Sequence, residues 1–114
     1  MLSRSVSVAV VVSSGKKAKE WYTKTLGLIG EGESHWITVR PRGSDIRIHL
    51  CESKELEPGN TGISFYCKDI EKEVKKLKEM GVKFTREVSD RGWGKFAMFT
   101  DPDGNEFWLV EGKP

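Results

Sequence analysis

Arg91-Gly-Trp-Gly-Lys-Phe-Ala-Met-Phe-Thr-Asp-Pro-Asp-Gly-Asn105 carries the most specific pattern in the chain. Lys95 to Thr100 is rich in apolar and aromatic residues and reads as a strand. Asp101 offers a side-chain acceptor at the start of a turn, Pro102 presets φ, and Gly104 tolerates positive φ. Asn105 to Glu111 then reads as the returning strand. The segment is therefore a β-hairpin with a well-specified turn, and ion binding by Asp101 and Asp103 is the sharper, disfavoured alternative. Gly92-Trp-Gly94 ahead of it is either a mobile lid or a loop anchor.

Upstream of the hairpin, Val82 to Val88 reads as one more strand. Before it, Ile70, Val74, Leu77 and Met80 recur at helical spacing, with Lys68-Asp69 offering a cap and Gly81 a stop. Gly62 to Cys67 is the strand that opens this half, and Glu52 to Asn60 is a charged linker ending in Pro58-Gly59-Asn60. The same order appears in the first half. Val6 to Val12 is a β-branched strand, and Ser13-Ser14-Gly15 caps a helix over Lys16 to Leu26 with Ala18, Trp21, Tyr22 and Leu26 on one face. Gly27 ends that helix as Gly81 ends the other, 54 residues later. His35 to Arg40 and Asp45 to Cys51 follow as alternating strands, joined by a turn at Pro41-Arg-Gly43. The reading is an α+β chain of two similar halves. Each helix buries one stripe and each sheet one face, which leaves a second sheet face for a ligand.

The 114 residues suit a single domain, and folding buries roughly two thirds of the unfolded surface at this size. Nineteen basic residues balance 17 acidic ones, which excludes a charge-driven nucleic-acid binder as the default partner class. Lys72, Lys75, Lys76 and Lys78 alternate with Glu71, Glu73 and Glu79 as a solvated helix face. The apolar run at Val6 to Val12 is too short to span a membrane. Cys51 and Cys67 make no disulfide framework. A cytoplasmic, reducing location with two free strand thiols is expected, and a Cys51–Cys67 bridge is the alternative.

Several pieces in fixed order carry a family resemblance: Trp21-Tyr22 and Leu26-Gly27 on the first helix, Lys68-Asp-Ile70, Met80-Gly-Val82, and Trp93-Gly94 before Phe99-Thr-Asp-Pro-Asp-Gly-Asn105. With these the chain resembles the glyoxalase/bleomycin-resistance/dioxygenase family, the vicinal oxygen chelate superfamily. The resemblance implies one domain over 1–114, built from two βαβββ modules at about 1–57 and 58–114. It implies a cupped mixed β-sheet with helices on its outer face, usually in a homodimer. Because the family includes lyases, isomerases, dioxygenases, thiol transferases and drug binders, the reaction must be argued from the site.

Metal enzymes of the family place ligands at four inner-face strand positions. In this chain those positions fall on Ser7, His49, Gly62 and Trp108. One competent donor in four does not hold a divalent cation, so no metal cofactor is expected. The resemblance and the strand parity point instead to a ligand site with Trp36, Arg47, His49, Ser64, Tyr66, Trp93 and Trp108. Aromatic walls with a few polar handles suit a planar or amphipathic small molecule. Arg47 is a candidate partner for a ligand carboxylate or phosphate. Core packing is the plain alternative for each aromatic, and a solvated strand position is that for Arg47. The competing expectations are a metal-dependent lyase or isomerase resembling glyoxalase I, with His49 and Glu106 as ligands, and a metal-free enzyme with His49 as general base. Ser7, Ser64 and Cys51 show no base partner, and neither a P-loop nor a dinucleotide fingerprint is present.

Overall fold

The structure is a computed structural model that describes residues 7–34, 36–52, 58–92 and 94–112. The chain divides into two compact units, Met1–Pro58 and Gly59–Pro114. Among the described residues each carries one helix and one four-stranded mixed sheet, so the fold is α+β with two βαβββ modules.

In module one, β1 (Ser7–Val11) leads to α1 (Gly15–Lys24), followed by β2 (Ile29–Glu31), β3 (Thr38–Arg40) and β4 (Arg47–Cys51). The strand order is β1-β4-β3-β2, with β1 and β4 parallel and the other pairs antiparallel. Helix α1 starts where expected: the Ser14 side chain accepts a hydrogen bond from Lys17 N. Val10, Val39, Ile48 and Leu50, each 3% exposed or less, form the apolar face beneath α1, which buries Ala18 and Tyr22.

Module two repeats the plan with β5 (Asn60–Cys67), α2 (Ile70–Glu79), β6 (Lys83–Asp90), β7 (Lys95–Thr100) and β8 (Glu106–Glu111). Its order is β5-β8-β7-β6, with β5 and β8 parallel. The core face stacks Phe65, Phe84, Phe99 and Phe107, with centroid separations of 5.5 to 6.2 Å between neighbouring rings. Asp69 caps α2 by accepting from Lys72 N. At the other end Val82 N donates to Leu77 O and Gly81 N to Lys78 O, with Gly81 at φ +87°. This pair of bonds needs a left-handed residue after the helix, which glycine supplies cheaply.

Three sequence expectations are corrected. Strand β2 was not foreseen, because three residues that include a glycine carry no alternation to read. The strand expected over 35–40 is confined to Thr38–Arg40, and His35 lies outside the described residues, as does Val6. Met80 was assigned to the apolar face of α2 but is 44% exposed. It sits at the C-cap, where the chain has already left helical geometry.

Candidate functional site

Because strand side chains alternate between faces, register assigns each candidate to a face. In module one, Ser7 pairs with Arg47 and Thr38 with His49, so these residues share the sheet face opposite the buried valines and leucine. Trp36 lies against this face, its ring 4.1 Å from that of His49 and 62% of its surface exposed. The approach of Trp36 depends on Gly32, at φ +84°: a Cβ there would stand 2.0 Å from the Trp36 carbonyl oxygen. Arg47 has an internal partner that the sequence did not reveal. Its Nε lies 3.4 Å from Glu31 Oε1, which Arg40 Nε also contacts at 2.9 Å. The hydrogen bond from Arg40 holds the Glu31 carboxyl below its ordinary pKa.

In module two, Ser64 pairs with Trp108, Tyr66 with Val110, and Met98 with Trp108, which gathers Ser64, Tyr66, Phe96, Met98 and Trp108 on the face opposite the phenylalanine core. Tyr66 is 43% exposed. Trp108 stacks on Phe96 at 4.9 Å between centroids and 26° between planes. Beside this stack lies a pocket of about 360 Å³, edged by Thr85, Arg86, Arg91 and Glu106. That volume falls in the range of small-ligand sites, which starts at about 300 Å³. The guanidinium carbons of Arg86 and Arg91 stand 5.7 and 5.4 Å from the centre of the Phe96 ring. Larger hollows of about 480 and 590 Å³ lie along α2 and at the start of α1, and among the described residues neither is lined by an aromatic one. Trp93 lies outside the described residues.

The four positions that the resemblance assigns to metal ligands offer a poor donor set. Ser7 offers a hydroxyl. His49 lies under Trp36. Gly62 occupies an irregularity in β5 between Asn60 and Ser64, at φ +69°, and has no side chain to give. Trp108 is committed to Phe96. These residues do not fit a divalent cation, which needs converging imidazole, thiolate or carboxylate donors. Glu106, the other candidate, accepts from Thr85 Oγ1 at 2.5 Å and from Asn60 Nδ2 at 3.2 Å. Among the described residues, the group of three acidic ligand atoms close enough to share an ion is Asp69, Glu71 and Glu111. Each already has work at the start of α2: Asp69 caps it, Glu111 accepts from Ile70 N, and Glu71 pairs with Lys95 at 3.0 Å.

Burial, with Glu73, Glu111, Asp69 and Glu71 nearby, pushes the Cys67 thiol up to about 11, so it is protonated and unreactive at neutral pH. Cys51 and Cys67 are both free thiols. No helix among the described residues is long and apolar enough to cross a membrane.

The sequence reading missed Arg86, Arg91, Phe96 and Met98. The parity of the hairpin was signal enough for Phe96 and Met98, since the tight turn sets them opposite Val110 and Trp108. No such signal existed for Arg86, because β6 shifts register on both sides of it.

Comparison with known proteins shows the family of the chain. The family model described as Glyoxalase/Bleomycin resistance protein/Dioxygenase superfamily matches residues 4–109. The uncharacterized protein YetH of Bacillus subtilis (strain 168) is 34% identical, over 97% of this chain and 100% of its own. A superfamily member from Sphaerobacter thermophilus DSM 20745 superposes with a TM-score of 0.87 at 32% identity, covering 97% of this chain and 98% of that one. TnmS3, an antibiotic binding protein from Streptomyces sp. CB03234, superposes with a TM-score of 0.84 at 30% identity and 98% coverage of both chains.

Proposed function

The chain belongs to the glyoxalase/bleomycin resistance protein/dioxygenase superfamily, and from that premise we propose that it is a small-molecule-binding protein that works without a metal ion. A planar or amphipathic ligand stacks on the aromatic face of module two. One observation carries this reading: Trp108, at a position where metal enzymes of the family hold a ligand, instead forms an aromatic platform with Phe96 beside an open pocket. An indole offers a ligand a flat, apolar surface and offers a cation no lone pair. The likeness to TnmS3 supports a binding role over turnover. The proposal includes a cytoplasmic homodimer. Free thiols support the location, and the homodimer is what the resemblance to the family implies.

Elemental analysis of protein purified without chelator, followed by nickel, zinc and manganese titration, tests the metal-free part. No stoichiometric uptake is expected, and His49→Ala changes nothing. Tight uptake of one ion per chain, lost in His49→Ala, would favour a glyoxalase-like lyase or isomerase instead.

A further inference from the structure

We infer that the ligand taken up by module two is a planar aromatic acid, held by stacking on Trp108 and by charge-assisted hydrogen bonds from Arg86 and Arg91. This deepens the binding proposal above and rests on it. The two guanidiniums approach one aromatic group from β6 and from the loop before β7, and both side chains line the same pocket as Trp108. Neither has a carboxylate partner among the described residues, in contrast to Arg40 and Arg47, which share Glu31. A guanidinium seated over a ring keeps its in-plane N–H donors available, and those donors match a carboxylate in a two-point fork.

The pocket also contains Glu106, whose charge opposes an anion. Its two oxygens are occupied by Asn60 and Thr85. With two arginines against one glutamate, the pocket retains a net positive charge. Its volume of about 360 Å³ suits two or three fused rings.

Calorimetric titration with 2-naphthoate and with 2-naphthalenemethanol, which differ in charge but share the ring system, tests the inference. The acid is expected to bind about tenfold more tightly than the alcohol, since a charge-assisted hydrogen bond contributes on the order of one such factor or more. In the Arg86→Gln/Arg91→Gln double variant, the acid loses about tenfold in affinity and its advantage over the alcohol disappears. Arg86→Lys/Arg91→Lys keeps the charges without the fork and gives an intermediate affinity for the acid. Added salt weakens the acid alone. Both arginines are exposed, so the variants are expected to keep the native circular dichroism spectrum. If acid and alcohol bind equally and the double variant alters neither, the anion preference is wrong while the binding proposal stands. If neither compound binds to wild type, both fall.

Discussion

Asp101→Ala is expected to lower the unfolding free energy by about 3–5 kcal/mol, a large share of the total for a domain of this size. Asp101 is 4% exposed, and its carboxylate organises the β7–β8 turn. One oxygen accepts from Asp103 N at 2.9 Å and Asn105 N at 2.8 Å, and the other from Asn105 Nδ2 at 2.8 Å. Asn105, 1% exposed, passes the order on by accepting from Gly59 N at 3.2 Å, beside the start of β5. Alanine leaves three N–H groups without their acceptor, and hydrogen bonds to a charged group contribute about 1.5–3 kcal/mol each without adding fully. Asp101→Asn keeps an acceptor for the two backbone donors but turns an amide N–H₂ toward Asn105 Nδ2, so about half the loss is expected. Urea unfolding at unchanged m-value measures both. A loss below about 1 kcal/mol for alanine would show that the turn holds without its carboxylate.

Trp108→Ala is expected to weaken binding of a planar aromatic ligand by tenfold or more. Stacking on an aromatic side chain contributes about 1–3 kcal/mol, and each 1.4 kcal/mol is a factor of ten. The substitution removes the face on which the ligand lies and uncovers Phe96, which is otherwise 1% exposed. Trp108→Phe restores a smaller platform and is expected to recover part of the affinity. Calorimetry on both variants separates lost stacking from a disturbed fold, since the phenylalanine variant keeps an aromatic residue in β8. Unchanged affinity in Trp108→Ala would move the ligand elsewhere.

Both predictions concern residues that the sequence made visible, for different reasons. Asp101, Pro102 and Gly104 act over four residues, so their chemistry is local and readable. The same holds for the caps at Ser14 and Asp69 and for the glycine stops at Gly27 and Gly81. The face shared by Ser64, Tyr66 and Trp108 was legible because period-2 alternation survives in the regular parts of β5 and β8. What stayed hidden depends on partners distant in sequence or on broken periodicity. Arg47 looked available for a ligand because nothing near it announces Glu31, sixteen residues earlier and two strands across the sheet. Nothing in the sequence marks Gly32, yet the chain turns back closely there, on the Trp36 carbonyl. Arg86 lies between two register shifts, where counting residues no longer predicts a face. Met80 shows the opposite error, a periodicity carried one residue past the end of its helix.

The proposed function requires that a ligand lie against the Trp108 ring. Two-dimensional ¹⁵N–¹H NMR follows that contact directly, through the indole Nε1–H resonance assigned by its loss in Trp108→Phe. Titration with 2-naphthoate is expected to shift this resonance saturably, together with the backbone amides of Phe96 and Met98. A saturating ligand that leaves the Trp108 indole and both amides unmoved would contradict it.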